Sequence, residues 1–362
     1  MRGLGWAVVM AGLVLAGCGG SGDAGLTGAV ETGGTGRTGA VETGGGSAGG
    51  LRQVMAHLGA GSPAADYLDY GDMAHWRSLG VVTEDGPGQD RRWLSAVGSG
   101  FGDFGLNASR LAEPTGINVF AADRGVSVGT PPRTAIRIEG RLDSAGIRAK
   151  LTALGARPRT IGGQEGLSMA DDNAIDMKGP QTRLGLINQL NQVVVTDSAL
   201  VSGAAAAPVA ATLGGGPSLA DSPDHAAVAD CLGDVVTAVV MAPPQPGGVT
   251  LYGVGLRRPA GTTDRAVDVV CVLPRVAEVG RTFAERFTVA AKAGGRPLSD
   301  LVETVTHDEV RSGGRTAHRA TLTIKPDGPI MLSHQLLFRN ELAALADPSA
   351  PADPLGIVRP TP

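Results

Sequence analysis

The sequence predicts an α+β fold of two similar lobes, each an antiparallel sheet with helices packed on one face. Three observations carry this. Short segments alternate apolar and polar residues with a period of two, as Thr134-Ala-Ile-Arg-Ile-Glu-Gly140 does. Between them lie segments with apolar residues at helical spacing, such as Ile147, Leu151 and Leu154. The order strand–helix–strand–strand–helix then occurs twice along the chain.

In the first lobe, 51–220, the strand at 134–140 turns Ile136 and Ile138 to one side and Arg137 and Glu139 to the other, as a half-buried strand requires. Asp143 reads as the N-cap of the helix that follows, and Gly155 as its stop. Strands are expected around 156–168 and 192–202, then an Ala-rich helix from about 203. In the second lobe, 221–346, strands are expected at 235–241, 249–256 and 266–273. Val276, Val279, Phe283 and Phe287 form the helix stripe that answers Ile147, Leu151 and Leu154. Strands near 302–310, 315–324 and 330–337 follow, the last two joined by Pro326-Asp327-Gly328, and a closing helix runs from Arg339 to Ala346. A chain of 362 residues exceeds a typical single domain, which agrees with two lobes.

The amino terminus has a different character. Arg2 supplies a positive start, and an apolar run from Leu4 to Ala16 follows, long enough for a signal-peptide core but too short to span a bilayer. It ends in Leu15-Ala16-Gly17-Cys18, which resembles the lipobox of bacterial lipoproteins. The resemblance implies removal of residues 1–17, lipidation of Cys18 with acyl chains such as palmitate, and an extracytoplasmic protein anchored to the cell membrane by its lipid. Each buried methylene contributes about 0.8 kcal/mol, so two acyl chains hold a soluble body firmly.

Residues 18–50 are dominated by Gly, Thr, Ala and Ser, and Thr27 to Gly34 recurs as Thr38 to Gly45. Such a stretch buries too little apolar surface to offset its ordering entropy, so it reads as a disordered tether. A Gly-rich coil of this length spans about 30 Å. Residues 347–362 are Pro- and Ala-rich and read as a flexible tail. Arginine outnumbers lysine and Ala, Gly and Val abound, the bias of a high-GC genome; with a lipobox this suggests an actinobacterium. The net charge of −4 argues against nucleic acid as a partner.

Ser218-Leu-Ala-Asp-Ser-Pro-Asp-His-Ala-Ala-Val-Ala-Asp230, followed by Val235-Val-Thr-Ala-Val-Val, resembles the junction between modules in uncharacterised membrane-anchored actinobacterial proteins of a domain-of-unknown-function family. That resemblance covers roughly 66–345 and implies a repeated extracytoplasmic α+β module with no known activity.

With Cys18 lipidated, Cys231 and Cys271 remain as an even pair in an oxidising compartment, which favours a disulfide over a buried Cys271 with a free Cys231. Other motifs lack the context their chemistry needs. Gly125-Val-Ser127-Val-Gly129 matches a nucleophile elbow, with a strand expected at 117–123 before it, but Pro131 and Pro132 preclude a helix running straight on. Gly34-Thr-Gly36-Arg-Thr-Gly39 lies in the tether, and Gly100-Phe-Gly102-Asp-Phe-Gly105 follows an expected helical stretch, Trp93 to Val97; neither suits a dinucleotide. Asp171-Asp-Asn173-Ala-Ile-Asp176 misses the alternate ligand spacing of a calcium loop. His307, His318 and His334 fall on three expected successive strands beside Asp308 and Glu309, a metal site only if the register converges them. No catalytic residue, metal or cofactor is assigned.

The densest local chemistry is Asp66 to Trp76. It reads either as a strand-to-helix junction with Tyr67 and Trp76 in the core and Asp72 as N-cap, or as an aromatic binding surface of Tyr67, Tyr70, His75 and Trp76. The expected function is therefore a non-enzymatic binding or structural module displayed on the cell envelope, its partner an envelope protein or small molecule. The alternatives are a lipid or small-molecule carrier with an interior pocket, and a hydrolase or metal enzyme built on Ser127 or the histidines.

Overall fold

The structure is a computed structural model and describes residues 50–243 and 247–347. The leader, Cys18, the tether and residues 348–362 lie outside the described residues.

The first half opens with α1 (Gly50–Met55), which lays Leu51, Val54 and Met55 into a core. β1 (Tyr67–Asp72) ends at Asp72, whose carboxylate accepts from the His75 backbone N–H at 2.9 Å and so starts α2 (Met73–Ser78). A small hairpin, β2 (Val82–Thr83) and β3 (Gly86–Pro87), is followed by α3 (Gly102–Leu106) and α4 (Ala108–Thr115). β4 (Arg124–Val128) and β5 (Ala135–Glu139) lead into α5 (Ser144–Ala153), capped by Asp143 as its sequence predicts and followed by Gly155 at φ 101°. Each of the next two expected strands is a pair: β6 (Arg157–Ile161) with β7 (Gln164–Ser168), and β8 (Gln192–Val195) with β9 (Ala199–Gly203), α6 (Pro180–Arg183) lying between the pairs. α7 (Ala206–Thr212) closes the half.

The second half starts with α8 (Pro223–Leu232), then β10 (Val235–Met241), β11 (Val249–Arg257) and β12 (Val267–Pro274). α9 (Ala277–Arg286) buries Val279 and Phe283, and Phe287 just beyond it, while Val276 stays exposed. After the short hairpin β13 (Lys292–Ala293) and β14 (Arg296–Pro297) come β15 (Val302–Ser312) and β16 (Arg315–Ile324), then α10 (Leu332–Phe338) and α11 (Glu341–Ala346). The turn between β15 and β16 is Gly313-Gly314, with φ of 55° and 77°, the left-handed pair that a two-residue hairpin demands.

The two halves share one sheet. Twelve strands run β15-β16-β12-β11-β10-β1-β4-β5-β9-β8-β7-β6, every neighbour antiparallel. β1 and β10 are the join, with Leu68 opposite Val240 and Tyr70 opposite Ala238. The repeated layout survives inside this sheet. α1 precedes β1, β4 and β5 as α8 precedes β10, β11 and β12, and α5 and α9 follow as crossovers.

Helices cover both faces, where the sequence predicted one. On one face Trp76, Phe104, Leu111, Ile147, Leu151, Phe283 and Leu336 pack from α2, α3, α4, α5, α9 and α10. On the other, α1, α7 and α8 contribute Leu51, Met55, Val209, Val228 and Leu232. The signal was present in β10 and β12, which are mostly apolar and buried on both sides rather than alternating. α8 lies close on the sheet because Gly253 and Gly255 offer no side chain there. A Cβ on Gly253 would sit 2.5 Å from Val228 Cγ1. The expected Cys231–Cys271 disulfide ties α8 to β12, with Cα atoms 6.1 Å apart and both residues fully buried.

Four other expectations fail. Residues 330–337 are a turn and most of α10 rather than a strand, because Asp268 on β12 places its carboxylate at the helix start and accepts from the Ser333 N–H at 2.7 Å. Residues 117–123 are loop and turn, and Trp93 to Val97 are turns rather than helix. Asp347, assigned to the tail, is buried and its carboxylate accepts from the Gly248 N–H at 2.6 Å.

Candidate functional site

At one end of the second half, β12 runs out through Leu273 and Pro274 into Arg275, and α9 begins two residues later. The Arg275 N–H donates to the Gly248 carbonyl at 2.7 Å, which fixes the entry to the helix. Beside it the β15–β16 hairpin projects, Glu309 directly across from His318 and His318 across from Val272 of β12. α9 rests on the His318 ring, and Gly280 permits it: a Cβ there would lie 2.1 Å from His318 Nε2. These elements enclose an open cleft of about 940 Å³ lined by Arg275, Arg281, Arg315, Asp224, Glu309 and His318 among others.

The charges of the cleft are partly matched. Arg315 Nε meets Asp224 Oδ1 at 2.7 Å, Arg281 pairs with Glu278, and His318 Nδ1 lies 4.0 Å from Glu309 Oε1. Arg275 is exposed and makes no ion pair among the described residues. Burial holds the His318 imidazole below its usual range; Glu309 opposes this and His307 adds to it. His318 is therefore a neutral acceptor and donor at pH 7, flanked by guanidinium groups that bind carboxylates or phosphates through fixed pairs of N–H bonds. A second cavity of about 450 Å³ lies near α10 and α11, lined by Leu301, Leu332 and Leu336 beside Arg296 and Arg339.

The histidine trio does not converge. His307 and His318 share a face of β15 and β16, but His307 Nε2 donates to the Phe287 carbonyl at 2.8 Å and its ring stands edge-on to Phe283. His334 is on α10, buried, and desolvation pushes its pKa down to about 3. Its neighbours Ser333 and Asp268 form an acid, hydroxyl and imidazole group that sequence spacing concealed, Ser333 Oγ lying 3.4 Å from His334 Nδ1. The order differs from a nucleophilic triad, since Asp268 accepts from Ser333 rather than orienting the histidine. The three residues are at most 4% exposed, and burial raises Asp268 to about 6. This group caps a helix.

Ser127 sits within β4, between Asp69 of β1 and Ile136 of β5, not on a turn after a strand. That removes the geometric ground for an elbow nucleophile. Burial pushes Asp69 up to about 7, against a 3.0 Å bond from the Gly100 N–H. The Asp171–Asp176 segment uses Asp172 in an ion pair with Arg159. Among the described residues no group of three or more His, Cys, Asp or Glu is placed to hold a metal ion.

The aromatic segment forms the strand-to-helix junction. Trp76 is 1% exposed and packs on Trp93 on one face of the sheet, while Tyr70 is fully buried on the other, beneath Gly50. Tyr67 and His75 are half-buried. Tyr67, Tyr70, His75 and Trp76 thus form no shared exposed surface. Sequence reading missed the cleft itself. Its signals were Gly280 inside an otherwise regular helix stripe and the Gly313-Gly314 turn.

No family model matches the chain, and no curated protein matches it. Among solved structures, three crystal forms of the spirochete protein TP0453 are similar. Form III shows 9% identity and a TM-score of 0.36, covering 74% of this chain and 93% of that one. Form I gives 9% and 0.37, covering 82% and 98%. Form IV gives 9% and 0.35, covering 74% and 92%. Similarity at this level carries no inference about what this chain binds or does.

Proposed function

We propose that this chain is an exported lipoprotein held to the outer face of a membrane through Cys18, and that its body is a non-enzymatic module that binds an envelope ligand in the cleft beneath α9. The Leu15-Ala16-Gly17-Cys18 junction supports the anchor, and a fully buried disulfide suits an oxidising compartment. Among the described residues no helix is long and apolar enough to cross a membrane. The observation that carries the binding reading is the cleft of about 940 Å³ with Arg275 unpaired at its edge, a volume in the range of small-molecule sites.

Two measurements test this. Cys18→Ala should shift the protein from the membrane fraction to the medium or stall its processing; unchanged membrane retention with normal cleavage sinks the anchor. Native mass spectrometry of protein purified from its own membranes should show a small-molecule adduct that an Arg275→Ala/Arg315→Ala variant lacks. An adduct that persists in the variant places the site elsewhere. A carrier is the second reading, favoured by the cavity near α10 and α11, where Leu301, Leu332 and Leu336 lie among charged side chains; retention of the adduct in that variant and its loss in Leu336→Trp would select it.

A further inference from the structure

The β7–β8 connection, residues 169–191, is long for a loop inside a folded domain, and loops of that length are commonly functional. It is held in one shape by buried amides. Gln181 Nε2 donates to Asn191 Oδ1 at 2.7 Å, and Gln181 Oε1 accepts from the Leu190 N–H at 2.9 Å. Asn191 Nδ2 donates to the carbonyls of Asp171 and Ala174, at 3.1 and 2.9 Å, and Thr182 Oγ1 to the Asp176 carbonyl at 2.9 Å. Asn191 is fully buried.

This fixed loop holds apolar side chains out in water. Ile175 is 57% exposed, Met177 70% and Ile187 52%. Leu106, at the end of α3, is 84% exposed and belongs to the same corner: Asn107 Nδ2 donates to the Gly185 carbonyl at 3.2 Å, and Gln189 bonds the Asp103 carboxylate. Four of the seven large exposed apolar side chains among the described residues therefore gather here, more than scattered surface hydrophobics explain.

Cationic side chains lie among these apolar ones. Arg110, whose guanidinium lies near Gly185, and Lys178 and Arg183 on the loop are exposed and make no ion pair among the described residues. Of the nearby acids, Asp172 is neutralised by Arg159, Asp103 is bonded by the Gln189 amide, Asp176 accepts from the Lys178 N–H at 2.9 Å, and Asp171 is exposed. Apolar side chains interleaved with free cations are what an anionic bilayer surface takes up. The chain outside the structure supplies such a surface. Gly50 begins the described body, and under the lipoprotein reading residues 19–49 join it to Cys18; a Gly-rich coil of that length spans about 30 Å.

We propose that Leu106, Ile175, Met177 and Ile187, with Arg110, Lys178 and Arg183, form a membrane-docking surface that seats the body against anionic lipid. The proposal rests on the lipoprotein reading for delivery to the membrane, and its test separates the two. Full-length protein carrying Met177→Cys with an environment-sensitive fluorophore is combined with phosphatidylglycerol/phosphatidylethanolamine vesicles bearing lipid-borne quenchers. Thr263→Cys, exposed on the β11–β12 connection, serves as the reference, and intact mass reports independently whether Cys18 carries lipid. Quenching at position 177 and not at 263 is expected. It should fall when phosphatidylcholine replaces the anionic lipid. Each cation at an anionic surface is worth about a fivefold factor, so Lys178→Gln/Arg183→Gln should lower the docked-to-free ratio by about 25-fold. Lipidated protein without quenching at 177 overturns the docking surface and leaves the anchor standing. Quenching without lipid on Cys18 keeps the surface and overturns the anchor. A concentration-dependent dimer that shields position 177 without quenching assigns the patch to a second copy and overturns the proposal.

Discussion

Removing the disulfide tests how the second half is held together. Cys231 and Cys271 are separated by 40 residues, and the loop they close contains β10, β11 and the first part of β12. In the chain-entropy description, closing a loop of that length removes about 13 cal/mol/K from the unfolded state, about 4 kcal/mol at 25 °C. Cys231→Ala/Cys271→Ala should lower the unfolding free energy by about that amount in urea, with a further increment from the void left at two fully buried positions. The m-value separates the two effects. A looser unfolded chain exposes more surface and raises m, whereas a void in the folded state shifts the midpoint and leaves m unchanged. The native protein should also resist thiol reductants until it unfolds, since neither sulfur is accessible. A double variant within about 1 kcal/mol of the parent, with unchanged m, would refute the claim that this cross-link stabilises the half through its unfolded state.

Gly280→Ala should cost about 1–3 kcal/mol by overpacking against the His318 ring, and should shift the His318 imidazole resonances in NMR; an unperturbed ring would show that α9 does not press on it. His334 has a folded pKa of about 3 against an ordinary 6.5, so the unfolded chain takes up its proton first and this contribution to stability is lost as pH falls below 6.5. His334→Leu, compared with the parent in urea at pH 7 and 4.5, should narrow the stability gap at the lower pH by about 2–3 kcal/mol; a constant gap would mean that the histidine is not buried in its neutral form. Asp72→Ala removes both the cap of α2 and the 2.8 Å ion pair to Arg258, whereas Asp72→Asn keeps an acceptor for the cap. The alanine variant should therefore lose about 1 kcal/mol more than the asparagine variant in thermal or urea unfolding, and equal losses would deny the cap.

Much of the element list was legible in the sequence, and the residues show why. Asp143 and Gly155 bracket α5 because an acceptor side chain and a left-handed residue are local requirements of helix ends. The strands at 135–139, 235–241 and 267–274 announced themselves by composition and alternation. The misread segment at 330–337 depended on Asp268, more than 60 residues earlier, reaching its first turn. The candidate cleft was half legible. The sequence put His307, His318 and Glu309 on adjoining strands, but α9 over His318 and Arg275 at the rim follow from packing.

The sequence by itself determined the periodicities, the caps, the even cysteine pair and the repeated order of elements, because each depends on stereochemistry within a few residues or on composition. It also carried the Leu-Ala-Gly-Cys junction, from which the expectation of a lipid anchor comes. The tertiary structure decided that β1 and β10 pair and so join the halves in one sheet, and that helices cover both faces. A strand edge presents the same N–H and C=O groups to any partner, so its neighbour is chosen by which apolar surfaces the whole chain can bury together. That choice is global, and it is what set α9 over His318 and opened the cleft.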